Sequence, residues 1–201
     1  MSTSTPSALA VTVGCVPEER SRPLDPQHLG DHLDRLYRAA LALCGGHRAD
    51  AEDLVQETYA RVLARPRFLR HDDDLAYLLR VLRNTFLNRV RSERRRPAPV
   101  ELDAERDGLA RPGDPRHPEA ALEVAELLAA IAALPGDQRD AVVAIDIVGL
   151  SYREAARALR AKEATITTRL HRGRARLAEN LAVSRAPSPS TTTAAPRHRP
   201  R

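Results

Sequence analysis

The densest run of chemistry in the chain lies near its C-terminal end. Thr165, Thr168, Arg169, Arg172 and Arg176 recur at steps of three, one, three and four residues, so on a helix they share one face. Ile166, Leu170, Leu177 and Leu181 take the other face, with Gly173 beneath. Threonine hydroxyls and methyls can meet base edges, and Arg forks can reach guanine or phosphate, when the start of such a helix enters the major groove. A merely solvated basic face is the alternative. The residues just upstream weigh against it, because Ser151, Tyr152, Arg153 and Glu154 spell a capping box that starts a helix. The pattern predicts a short helix over Tyr152 to Leu159, a turn over Arg160 to Ala164, and a longer helix over Thr165 to Leu181. Short helix, tight turn and longer basic helix make a helix-turn-helix.

The elements that must hold this unit are legible from apolar spacing. Leu122, Leu127, Leu128, Ile131 and Leu134 mark a helix that Pro135 and Gly136 end, and Gln138 to Val148 forms the next, stopped by Gly149. Farther upstream, Leu29, Leu33, Leu36, Ala40 and Leu43 form an amphipathic helix with a glycine stop at Gly45 and Gly46. A second helix runs from about Ala49 to Ala64, its first turn carrying Asp50, Glu52 and Asp53, which suit the positive helix start. After Pro66 a long third helix over Asp73 to Arg95 turns Leu75, Leu78, Leu79, Leu82, Phe86 and Val90 inward. Its outward face carries Arg80, Arg83, Asn84, Asn88 and Arg91.

These elements divide into an all-α chain of two small helical domains, residues 28–96 and 119–183. Between them, residues 97–118 hold five prolines and two glycines and read as a flexible linker. Residues 1–27 and 184–201 lack apolar periodicity and are expected to be disordered. The formal charge of +5 hides an alternation: +6 over residues 65–96, −5 over 97–127 and +5 over 151–183. Two basic surfaces separated by an acidic connector suit two sites on a polyanion. All 32 basic residues except Lys162 are Arg, the side chain built for forked contacts.

Composition narrows the function classes. With 42% hydrophobic residues but only six aromatics and no Trp, the core must be Ala, Leu and Val, which favours packed helices. No apolar run approaches the roughly 20 residues needed to span a bilayer, and two cysteines make no disulfide framework, so a reducing cytoplasm is expected. There is no phosphate-cradling glycine loop and no Ser, His and Asp signature, so neither an enzyme nor a cofactor is expected. Cys44 and His47 alone cannot close a zinc site.

Residues 134–181, LPGDQRDAVVAIDIVGLSYREAARALRAKEATITTRLHRGRARLAENL, resemble the fourth region of extracytoplasmic-function (ECF) RNA polymerase sigma factors, members of the sigma-70 family. The stretches DAEDLVQETYARVL, residues 50–63, and AYLLRVLRNTFLNRVRSERRR, residues 76–96, resemble that family's second region. The resemblance implies a chain that binds core RNA polymerase, recognises promoter DNA and promotes DNA-templated transcription initiation. In the family the second region reads and melts the minus-10 element and the fourth reads the minus-35 element. The partners implied are core polymerase and promoter DNA, both duplex and unpaired minus-10 strand. A sequestering anti-sigma factor is also admitted, and membrane insertion is not.

Residue roles carried over by that resemblance fall into a docking set, a minus-10 set that begins with Phe68, and a minus-35 set. Asp50, Glu52, Asp53, Gln56 and Glu57 match the acidic helix that docks on the polymerase clamp. Phe68 matches the loop that captures an unpaired base. Tyr77, Arg80, Arg83, Asn84, Asn88 and Arg91 match the minus-10 surface, where Asn can bond a base edge and Arg can neutralise phosphate. Thr165, Thr167, Thr168, Arg169, Arg172 and Arg176 match the minus-35 surface. Two departures stand out. Tyr77 replaces the family's usual Trp, leaving a smaller stacking surface, and Ala164 to Thr168 stand where many members have Gly, Thr, Val, Lys and Ser. The competing readings are a stand-alone helix-turn-helix regulator that binds only duplex, and an interaction protein whose basic faces serve solubility. The acidic docking helix and the aromatics of the first domain disfavour the former, and the Thr and Arg row the latter.

Overall fold

The computed structural model describes residues 22–23, 26–64, 68–69, 74–95 and 118–185. Except for Pro118, the predicted linker lies outside these residues, as do most of residues 1–27 and all of 186–201. Where the sequence predicts disorder up to residue 27, strand β1 (Arg22–Pro23) pairs antiparallel with β2 (Phe68–Leu69), and a 3-10 helix spans Pro26–His32. That helix runs directly into α1 (Leu33–Leu43). Tyr59 Oη donates to Leu29 O at 2.9 Å and ties the segment to α2 (Arg48–Ala64). α1 stops where Gly45 and Gly46 take φ of +66° and +90°, values that a side chain resists. The Gly46 N–H donates back to Leu41 O at 2.8 Å and satisfies a carbonyl of the last turn.

The third helix, α3 (Asp74–Arg95), buries Leu75, Leu78, Leu79 and Leu82 against α1 and α2. In the second half, α4 (Pro118–Ala132) opens on a proline, which suits a first helical position. The single helix expected over Gln138 to Val148 is instead α5 (Gly136–Val142) followed by a π turn over Val143–Ile147. Val148 N–H bonds Val143 O at 2.9 Å, five residues back. The run Val142, Val143, Ile145 and Ile147 is rich in β-branched side chains, which fit an α-helix poorly. α6 (Tyr152–Leu159) and α7 (Glu163–Arg185) complete the chain.

Glycine decides where α7 sits. A Cβ at Gly173 would stand 2.9 Å from Val142 Cγ2 and 3.3 Å from Gln138 O. α5 and α7 therefore reach their contact distance only because residue 173 has no side chain. The two halves do not remain separate. Leu36, Leu54, Leu78 and Leu82 of the first belong to one continuous buried cluster with Ile131, Val142, Ile166 and Leu170 of the second. Each such side chain contributes about 1.5–3 kcal/mol by leaving water. α1 packs on α4 and the π turn, and α3 packs on α6. No helix among the described residues is long and apolar enough to cross a membrane.

Candidate nucleic-acid interface

The capping box forms as its residue types demand. Ser151 N–H donates to Glu154 Oε2 at 2.7 Å, and Glu154 N–H donates to Ser151 Oγ at 3.3 Å. The Ser151 hydroxyl bond, opposed by partial burial, holds the Glu154 carboxyl below its ordinary pKa. α6 ends at Arg160, which takes a left-handed φ of +52°, and Ala161 N–H returns to Ala156 O at 3.0 Å. A non-glycine residue there costs about 1–2 kcal/mol, held in place by the buried Ala155, Ala156 and Ala158 of α6.

α7 begins at Glu163, two residues before the expected start. Ile166 and Leu170 are buried, whereas Thr167, Thr168, Arg172 and Arg176 are exposed. Thr165 and Arg169 are half-buried at the edge of that surface, and Arg169 Nε lies 3.4 Å from Asp137 Oδ2. The hydroxyls of Thr167 and Thr168 donate to Glu163 O and Ala164 O at 3.1 and 3.0 Å. Their protons are thus used within the helix, which leaves hydroxyl lone pairs and methyls to face a groove. Arg174, off this row, donates to Asp146 of the π turn at 3.0 Å. His171, exposed one turn beyond Thr167, joins the surface although it lies outside the Thr and Arg pattern of the sequence. Its only sequence signal is its four-residue step from Thr167.

The structure divides the α3 set. Asn84, Asn88 and Arg91 are exposed, and Tyr77 is half-buried against the core. Arg80 and Arg83, expected on the same open face, are instead turned to the second half. Arg80 donates to Arg157 O and, at 3.3 Å, to Ala158 O, and Arg83 pairs with Asp140. The cause is helical spacing, because Arg80, Arg83 and Phe86 follow each other at three-residue steps and share the stripe that meets α5 and α6. Phe86 is correspondingly half-buried, with the Arg139 guanidinium 4.9 Å from its ring centre. Nothing in the sequence singles out Arg139 and Asp140, since both sit inside a helix without a recognisable motif. Phe68 lies in β2 by its backbone, and its side chain falls outside the described residues.

On α2, Asp50, Glu52, Asp53 and Gln56 are exposed. Glu52 accepts from Arg48 at 2.8 Å. Glu57 is half-buried and accepts from Arg61 Nη2 at 2.6 Å and from Arg89 Nε at 2.8 Å. Burial works against the Glu57 carboxylate, but these two guanidinium bonds outweigh it and keep its pKa below the usual range. Glu57 therefore braces α2 on α3, a role invisible from the acidic run alone. At Cys44, burial and the nearby Asp50 carboxylate push the thiol pKa up to about 12. The side chain is held as a thiol, the form that ligates metal poorly. No cluster of three or more metal-ligating side chains stands among the described residues.

Comparison with known proteins matches both halves. Residues 29–96 match the family described as Sigma-70 region 2, and residues 125–177 the family described as Sigma-70, region 4. The ECF RNA polymerase sigma factor SigE of Mycolicibacterium smegmatis is 35% identical over 170 residues, covering 82% of this chain and 64% of the relative. The chain thus spans just under two thirds of that relative's length. The ECF RNA polymerase sigma factor EcfG of Rhodopseudomonas palustris is 34% identical over 147 residues, 73% of this chain and 79% of the relative. Among solved structures, the sigma factor RpoE from Bartonella quintana, crystallised with the anti-sigma factor NepR, aligns with a TM-score of 0.60 at 29% identity. That alignment covers 79% of this chain and 97% of RpoE.

Proposed function

Because the chain belongs to the ECF RNA polymerase sigma factors of the sigma-70 family, we propose that it binds core RNA polymerase, gives it promoter specificity and promotes the opening of DNA. It adds no nucleotide itself and works in the cytoplasm, where polymerase and DNA are. The observation that carries this reading is the pairing, on one chain and in order, of the region 2 and region 4 matches. The acidic face of α2 is exposed on the first and the Thr and Arg row of α7 on the second.

In this reading α7 enters the major groove upstream of the start site. Arg172 and Thr168 read base edges, Thr165, Thr167 and Arg169 support them at the margin of the surface, and Arg176 meets phosphate. Asn84, Asn88 and Arg91 of α3 face the minus-10 element, joined by Tyr77, Phe68, Arg80 and Arg83. Exposed Asp50, Glu52, Asp53 and Gln56, with Glu57 at their edge, offer a basic polymerase surface a rigid acidic helix. Likeness to RpoE in its complex with NepR extends the proposed partners to an anti-sigma factor. Run-off transcription with core polymerase on a randomised promoter library tests the reading. Promoter-dependent transcripts are the expected result; duplex binding that neither needs core nor yields transcripts would replace it with a stand-alone regulator.

A further inference from the structure

Phe68 lies in the connection between α2 and α3, and the partner of its strand comes from the segment ahead of α1. The antiparallel register sets Arg22 of β1 opposite Leu69 of β2, and Pro23 opposite Phe68. The residue types favour an extended β1, because proline fixes its own φ and turns the residue before it away from helical backbone. Pro23 has no N–H, and in an antiparallel ladder only alternate residue pairs exchange hydrogen bonds. The exchanged bonds therefore fall between Arg22 and Leu69. A two-stranded pair alone is marginal in water, but β1 is anchored just downstream. The 3-10 helix Pro26–His32 buries Leu29, whose carbonyl accepts from Tyr59 Oη at 2.9 Å. Tyr59 belongs to α2, the helix that leads into β2, so the ladder and this bond close a circuit around the connection.

We propose that β1 is a positioning strand for this connection: by pairing with Phe68–Leu69 it fixes the backbone there before DNA arrives. The inference rests on the reading that Phe68 receives an unpaired base of the minus-10 strand. Ordering a backbone costs free energy, and a connection that is already ordered does not incur that cost when the DNA strand binds. β1 acts through Phe68 and touches no base itself. The segment ahead of α1 thereby becomes a determinant of affinity for unpaired DNA, while upstream duplex recognition is left to α7. Charge is the competing route to the same affinity, because Arg22 in β1 and Arg67 and Arg70 on either side of β2 are all basic, and a phosphate backbone attracts such a set. The ladder and its anchor at Leu29 favour the positioning role.

The test uses the full chain assembled with core polymerase and three variants. One lacks residues 1–24. Arg22→Pro removes the N–H donated to Leu69 O, and Arg22→Ala keeps it. Fluorescence anisotropy reports binding to a fork DNA whose minus-10 strand is unpaired and, for the chains alone, to an upstream duplex. The shortened chain and Arg22→Pro should each bind the fork about tenfold more weakly, a loss on the scale of ordering one residue's backbone, with duplex binding within about twofold of the parent. Arg22→Ala should bind the fork as the parent does. Hydrogen exchange adds a readout on the parent itself: the Leu69 N–H should be protected without DNA and lose that protection in Arg22→Pro. Fork affinity unchanged in both the shortened chain and Arg22→Pro overturns the proposal, as does an unprotected Leu69 N–H in the parent. An equal loss in Arg22→Ala and Arg22→Pro overturns it in favour of a direct phosphate contact by Arg22. A parent that gives no promoter-directed transcripts with core polymerase sinks the sigma-factor reading and the role of β1 with it, whereas a parent that transcribes while its variants keep full fork affinity sinks the role of β1 alone.

Discussion

Arg169 and Arg172 stand three residues apart and are not equivalent. Arg172 is exposed on the α7 surface, while Arg169 is half-buried and lies beside Asp137. Arg172→Ala should therefore relax base choice at one upstream position by about 1–3 kcal/mol, whereas Arg169→Ala should have the smaller effect. Competition binding against randomised upstream elements over a salt series checks this. A uniform loss across sequences with a shallower salt slope would make Arg172 a phosphate contact instead. The acidic set of α2 separates in the same way. Asp53→Lys should weaken core binding with no change in melting temperature. Glu57→Lys should weaken it and also lower the melting temperature, because it strands Arg89 and Arg61. Binding to immobilised core and thermal melting measure the two effects; core affinity unchanged in Asp53→Lys would take α2 out of the docking role.

At the scale of elements, the placement of α7 depends on the start of α6 and on the turn after it. Ser151→Ala removes the hydroxyl that caps α6 and should cost about 1 kcal/mol. The effect has a pH signature. The Glu154 pKa is depressed in the fold, so the carboxylate's contribution is present above the ordinary glutamate pKa of about 4.3 and fades as pH falls through the lower folded value. Urea midpoints of parent and Ser151→Ala should accordingly converge as pH drops below that range. A gap that stays constant would show that Glu154 gains nothing from Ser151. The same element scale explains Gly173, whose missing side chain admits Val142 at the crossing of α5 and α7.

For the whole molecule, the continuity of the buried cluster sets the cooperativity. Leu82 of α3 is fully buried in a cluster that also contains Ile131, Val142 and Ile166 of the second half. Calorimetry should show a single unfolding transition, and Leu82→Ala should lower it as a unit by about 2–5 kcal/mol of stability. Two transitions, only one of which moves, would mean that the halves unfold independently.

What the sequence determined by itself is local and periodic. Ser151 and Glu154 define the start of α6, Gly45 and Gly46 the end of α1, and the four- and seven-residue steps of Ile166, Leu170 and Leu177 the buried side of α7, because each depends on residues within a turn or two. The helix-turn-helix and the acidic face of α2 were legible for the same reason. What only the tertiary structure decided involves partners distant in sequence. Arg80 and Arg83 looked like open-face residues until Asp140 and the α6 carbonyls came within reach from 57 and 77 residues away. Glu57 reads in the sequence as one acid of an exposed run, and only the fold adds its bond to Arg89, 32 residues on. The π turn over Val143–Ile147 also escaped the periodic reading, since one added residue in a helical turn leaves its apolar pattern nearly intact. Helical periodicity reports which side of an element is apolar. Which charged side chains are neutralised, and by whom, depends on how two separately patterned halves meet.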